Sequence, residues 1–322
     1  TVGLAGLGAL GVSFGSLLAM DTPNGREKGQ FNWGSTAWHE LTHAFTLGAS
    51  DHRVPRWLSE GLSVLEERRV GRGWGADATV SYVLAMANGT LRPISQLSDG
   101  FLRPRFPEET QFSYYAASLF CEMVEASRGA AALPAMLKGY RDGMDTPGVF
   151  QKVLGTTPRQ IDAEFEAYTQ RKFALALAAV RGATPNDSSG GKFVATMREG
   201  VAKMGSDRNA ARALFEQARA MFPEYSGEDG PSWYLAEMAR AANDTTRALT
   251  FVEYVTSRNE TAWEANMMEA DLREARGDKT GAIRALDRLN WIWPYDPLVH
   301  VRLATLSAAQ GDRARAVLER RA

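Results

Sequence analysis

Cysteine is almost missing from this chain. One thiol, Cys121, in 322 residues excludes an intrachain disulfide and any multi-cysteine metal cluster, and it reads as a small apolar residue buried in a helix. Histidine is nearly as scarce, with four residues, at positions 39, 43, 52 and 300. An excess of one charge is absent too. The 37 basic and 38 acidic side chains leave a net charge of −1, which offers nothing to nucleic acid or to an anionic membrane surface. Long uncharged runs are limited to residues 1–20, where five glycines make a poor helix. A glycine-broken turn followed by a buried strand is expected there rather than a membrane span. The chain starts with Thr, so it has been processed or trimmed, and a targeting peptide would not be visible.

What is present is an ordinary globular composition, 44% apolar and 23% charged. The length suggests two domains. The boundary is marked by Gly182-Ala183-Thr184-Pro185-Asn186-Asp187-Ser188-Ser189-Gly190-Gly191, a low-complexity linker. This divides the chain into 1–182, a linker at 183–191, and 192–322.

Half of the scarce histidines lie in one short stretch, Trp38-His39-Glu40-Leu41-Thr42-His43. The spacing H-E-x-x-H on a helix sets His39 and His43 one turn apart on one face, where both imidazoles reach one metal ion. Glu40 is placed to act on a water bound to that metal rather than to bind it. Trp38, Leu41 and Phe45 form a helical apolar stripe, and Gly48 sits where a helix-ending glycine belongs. Phe31-Asn32-Trp33 is expected to be a short strand leading in. The bland reading is a solvated helix with no metal.

A catalytic zinc takes three protein ligands and keeps one position open. Asp51, His52 and Glu60 follow His43 closely. The first two lie in a connecting loop, and Thr46 and Ala49 stand where H-E-x-x-H-x-x-G-x-x-H requires Gly and His. Glu60 belongs to a second helix that opens at Pro55 and ends near Gly71, and a crossing helix pair would set it opposite both histidines. Its other reading is a surface carboxylate paired with Arg56 at i−4.

H-E-L-T-H followed by W-L-S-E-G resembles the gluzincin zinc metallopeptidases, the thermolysin and aminopeptidase N group. The nearest likeness is to bacterial peptidase MA-like domains, which carry a P-x-W-L-x-E-G signature and often adjoin helical repeats. The resemblance covers roughly residues 1–180. It implies an α+β catalytic domain, mostly helical with a small β-sheet, and one Zn2+ held by His39, His43 and Glu60 with Glu40 as general base. It also implies a tyrosine at the start of a later helix that donates to the oxyanion. Tyr114 takes that role, with Tyr115 in reserve, and both are equally readable as core aromatics. No G-x-M-E-N stretch is found, a departure that leaves the endo- or exopeptidase mode open. The bacterial likeness favours an exported, periplasmic setting over a cytoplasmic one.

Helices are expected over 76–87, from about Gln111 to Ser127, over 130–140, and over 158–180 behind a capping box at Thr157. Beyond the linker the sequence repeats. Ala236, Ala270 and Ala304 are 34 residues apart, as are Ala248, Ala282 and Ala316, and Asp244, Asp278 and Asp312. That period, with small residues at fixed offsets, resembles tetratricopeptide-like helical repeats, with a degenerate earlier unit near 195–228. Trp291 and Trp293 are assigned to the core between repeats, with a binding surface as their other reading. The function that emerges is a zinc-dependent metallopeptidase acting on peptide or protein substrates, its all-α repeat domain binding a protein partner or positioning the substrate. The alternative is a catalytically inactive zinc-binding scaffold for protein–protein interaction.

Overall fold

The computed structural model describes residues 11–14, 17–181 and 191–322. Two strands, β1 (Gly11–Phe14) and β2 (Leu17–Met20), pair antiparallel with Gly11 opposite Met20 and Phe14 opposite Leu17. They are the only paired strands among the described residues. The small β-sheet expected for the first domain is therefore not supported, since a hairpin of four residues a side is not a layer of the fold. Nor is its second strand buried, because Leu17 is 65% exposed. The uncharged run 1–20 lies partly outside the described residues, and no described helix is long and apolar enough to cross a membrane.

The other elements among the described residues are helices. The first part contains α1 (Trp33–Ala49), α2 (Arg56–Val70), α3 (Val80–Ala87), α4 (Leu97–Leu102), α5 (Glu109–Arg128), α6 (Ala132–Arg141), α7 (Thr146–Val149), α8 (Pro158–Lys172) and α9 (Ala174–Val180). The short strand expected at Phe31-Asn32-Trp33 is absent, and Trp33 already belongs to α1. Asn32 instead caps it, its side chain accepting from Ser35 N. Gly48 lies inside α1, and the chain turns beyond it through Asp51 and His52, both at positive φ. The expected run over 158–180 breaks at Phe173 into α8 and α9, and the capping box at Thr157 is present.

The site depends on α2 being locked in place. Trp57, Leu58 and Leu62 bury one side of it, with Trp57 edge-on to Phe120 of α5 at 5.2 Å. Gly61 lets the two helices nearly touch, because a Cβ there would lie 2.6 Å from the Ala117 carbonyl oxygen. The opposite side of α2 faces α1.

The second part contains α10 (Gly191–Lys203), α11 (Arg208–Met221), α12 (Pro231–Ala241), α13 (Thr245–Thr256), α14 (Trp263–Ala275), α15 (Lys279–Ile292), α16 (Pro297–Ala309) and α17 (Arg313–Glu319). The periodic residues have visible duties. Ala236, Ala270 and Ala304 are buried, as are Ala248, Ala282 and Ala316, which lets paired helices approach closely. Asp244, Asp278 and Asp312 cap the second helix of each pair, accepting from the backbone N–H of Arg247, Gly281 and Arg315. The linker lies outside the described residues except for Gly191. The apolar core around α2 and α5 continues through α9 into Phe193, Phe215, Phe222 and Leu235. Trp291 is not core between repeats. It packs at a tilt against Trp33 of α1 with ring centres 4.5 Å apart and meets Trp74 edge-on at 5.8 Å, joining the repeat array to the first domain.

Candidate metal centre

The sequence leaves α1 an unusual division of faces. Trp38 and Phe45 are exposed, while Ser35, Thr36, Glu40, Thr42 and Thr46 are buried. α2 answers with a polar stripe, Ser59, Glu60, Ser63 and Glu67, all buried. Such a pairing is costly unless every group finds a partner, and nearly all do.

Glu60 lies opposite both histidines, as the crossing-pair reading requires. Its Oε2 is 3.1 Å from His39 Nε2 and 3.2 Å from His43 Nε2. The pairing with Arg56 is present too, Arg56 Nε donating to Glu60 Oε1 at 3.0 Å, but Glu60 is buried and not the surface carboxylate of that alternative reading. The remaining ring nitrogens are used elsewhere. His39 Nδ1 bonds Glu67 Oε1, and Ser35 Oγ donates to the other Glu67 oxygen at 3.0 Å. His43 Nδ1 meets Ser59 Oγ at 2.8 Å and Ser63 Oγ at 3.3 Å. Both imidazoles are thus oriented through Nδ1 with Nε2 directed at Glu60, the arrangement in which a carboxylate or hydroxyl behind a ligating histidine fixes its ring and tautomer.

His39, His43 and Glu60 form a group that can hold a metal ion. Their donor atoms lie within 4.8 Å of one another. The histidine–glutamate separations are close to the edge, about 3.3 Å, of a tetrahedron with bonds of 2.0–2.1 Å. Two neutral nitrogens and one carboxylate oxygen leave room for a fourth ligand. The same separations suit proton sharing. Burial alone would lower the basicity of His39, but its bonds to Glu60 and Glu67 and their charges outweigh burial and raise its pKa to about 10. Burial would likewise raise Glu60, yet the two histidines hold it below the usual carboxylate range.

Glu40 stands apart. It is 5% exposed, and its Oε2 has no hydrogen-bond partner. Burial pushes its pKa up against the pull of the neighbouring histidines. β1 lies over it, so that a Cβ at Gly11 would fall 2.7 Å from its Cγ and Oε1. A buried carboxylate oxygen without a partner, beside a group that can hold a metal ion, is poorly explained by stability.

The two tyrosines separate cleanly. Tyr114 has its ring 6.0 Å from that of His39. Burial raises its pKa, the Glu60 charge adds to this, and Arg56 opposes it. Tyr115 packs on Tyr82 at 4.8 Å and on Phe173, away from the histidines. Asp51 and His52 are exposed in the turn after α1. His300 is held in the repeat array by Glu319 and the Pro294 carbonyl. None of these three joins the site. Glu67, Ser59, Ser63 and Arg56 are the site residues that the motifs did not indicate as functional. The available signal was the spacing of Glu60, Ser63 and Glu67, a polar i, i+3, i+7 stripe flanked by the apolar Trp57, Leu58, Leu62 and Leu65.

Comparison with protein-family models, curated proteins and solved structures gives no match to this chain.

Proposed function

We propose that the chain is a zinc metallopeptidase of gluzincin type, with His39, His43 and Glu60 as the metal ligands. The observation that carries this reading is the buried, partnerless Oε2 of Glu40, next in sequence to one of two imidazoles whose outer nitrogens are already engaged. Zinc bound there would supply a Lewis acid that polarises a carbonyl and acidifies water. Glu40 takes a proton from the attacking water at its free oxygen, and its raised pKa favours keeping that proton until the leaving amine needs it. A phenol is protonated at neutral pH, and burial and Glu60 push the Tyr114 pKa further up, which suits it to donate to a developing oxyanion. Arg56 holds the second oxygen of Glu60, leaving the first to the ligand group. The helical array positions a polypeptide substrate or a protein partner.

The test is hydrolysis of a quenched-fluorescent unfolded protein by wild type, chelator-treated protein and Glu40→Gln. Chelation should abolish activity, and the Gln variant should keep its metal while losing about 10²–10⁴-fold in rate. A Gln variant of full activity contradicts the role of Glu40. One observation favours the second reading, a non-catalytic metal-binding scaffold. The His39 and His43 side chains are only 14% and 13% exposed, and β1 covers Glu40. Wild-type protein that binds zinc and cleaves nothing would select that reading.

A further inference from the structure

Arg56 stands at the edge of the metal-binding group, and only part of it is used. Its Nε–H donates to Glu60 Oε1 at 3.0 Å, which leaves four of its five N–H donors on the two terminal nitrogens. Among the described residues, no carboxylate other than Glu60 lies within ion-pair distance of it. The pair is also lopsided. The Glu60 side chain is 7% exposed and that of Arg56 45%, so the carboxylate lies inside and the guanidinium faces solvent. An arginine that served only to neutralise Glu60 would be buried with it.

The other neighbours of Arg56 are aromatic. Its guanidinium carbon lies 5.4 Å from the ring centre of Phe101, close enough for the ring face to hold a flat cation. Phe101 is buried and meets Tyr114 edge-on at 5.0 Å, and the Tyr114 ring lies 6.0 Å from that of His39. Arg56 is thus joined to the histidines by two short routes, one through Glu60 and one through Phe101 and Tyr114. A planar guanidinium held against a ring and fixed at Nε presents its remaining edge in a set direction. That is the geometry that takes a carboxylate through two parallel N–H bonds. Charge favours the same group, since Glu40, Glu60 and Glu67 are all buried and the cation beside them is the part that meets solvent.

We propose that Arg56 is a specificity-determining residue that pairs with a carboxylate of the substrate, one or two residues from the scissile bond. The reach follows from its place beside a ligand carboxylate, because an extended chain advances about 3.5 Å per residue. This rests on the metallopeptidase reading given above and adds its substrate class: peptides with a free C-terminus at that distance, or with Asp or Glu there. Both sources present the same group to the guanidinium fork.

The experiment uses the intact, zinc-loaded chain and a library of synthetic decapeptides, with cleaved bonds mapped by mass spectrometry. The best-cleaved peptide is then remade as matched pairs: free acid against C-terminal amide, and Glu against Gln at the two positions on either side of the bond. One pair should show a kcat/KM about 10- to 100-fold higher for the carboxylate form, and which pair it is tells a terminal carboxylate from a side-chain one. In Arg56→Gln that ratio should fall to within about threefold of unity, with Arg56→Lys in between, because lysine keeps the charge without the fork. Calorimetry on zinc-loaded Glu40→Gln should show the same preference in Kd, a readout independent of turnover. A residue that acts only by steadying Glu60 would slow both members of every pair alike and leave their ratio unchanged. Wild-type ratios near unity in every pair overturn the proposal without any variant, and so does a preference that survives in Arg56→Gln. If Arg56→Gln does not fold or hold zinc, the wild-type pairs and Arg56→Lys decide. Wild type that cleaves no peptide defeats the metallopeptidase reading and this inference with it, whereas cleavage without a carboxylate preference defeats this inference only.

Discussion

Glu40 and Glu269 are both buried glutamates on helices that pair with a neighbour, 5% and 1% exposed, yet they are held in opposite ways. Glu269 of α14 takes Arg273 at 2.9 Å, Arg288 at 2.5 Å and the Thr256 hydroxyl at 2.6 Å. Every oxygen is used, and the group serves to lock α13, α14 and α15 together. Glu40 of α1 has one oxygen with no partner, with β1 lying over it. The surrounding helix pairs differ in the same way. α14 and α15 meet through Ala270, Ala282, Ala285 and Leu286, all buried, and are stabilised by apolar contact. α1 and α2 meet through imidazoles, hydroxyls and carboxylates, while Trp38 and Phe45 are left in solvent. One pair is built to be stable, and the other gives up stability to keep polar groups poised in a dry place.

The largest effect should come from the two glutamates themselves. Glu269→Gln strips the charge facing two arginines and should destabilise the protein by about 3–5 kcal/mol. Glu40→Gln removes a charge with no partner and should leave stability unchanged or raise it by up to about 1 kcal/mol. Urea unfolding of the metal-free proteins checks both, and equal losses would erase the distinction. Next, Ala282→Leu overfills the alanine seam and should cost about 1–3 kcal/mol, readable as a fall in melting temperature with metal binding intact. A separate effect comes from pH. With its pKa raised from 6.5 to about 10, His39 stabilises the metal-free fold fully below pH 6.5, and that contribution is lost as pH rises through 10. Because metal binding must displace that proton, zinc affinity should rise about tenfold per pH unit over this window. Titration calorimetry in buffers of different ionisation enthalpy reads the released proton, and a pH-independent affinity would contradict the assignment. Smallest of all, Phe45→Ser on the 69% exposed face of α1 should change stability by no more than about 0.5 kcal/mol.

Much of this contrast can be read from residue spacing. His39 and His43 share a helix face because they are four apart, and Glu60 comes to them because a short polar turn folds the next helix back. The 34-residue period located the alanines of the seams, since close helix packing leaves a repeating demand for small side chains. Other features have no local signature. The stripe Trp38, Leu41, Phe45 signals a helix but not its orientation, and here the imidazoles and carboxylates take the inner face. Trp291 reads as repeat core until Trp33 and Trp74 are seen against it. Glu260 Oε2 accepts from Gly75 N across 185 positions, with no motif or period to link them. Nor does a glycine-broken apolar run near the start reveal that its strands form only a hairpin lying over Glu40.

The most direct measurement is metal content by native mass spectrometry after dialysis against zinc, on wild type and Glu60→Ala. One ion per chain in wild type and its loss from the variant is the predicted result. A wild type that carries no ion, or a variant that retains it undiminished, would contradict the convergence of His39, His43 and Glu60 on a single metal.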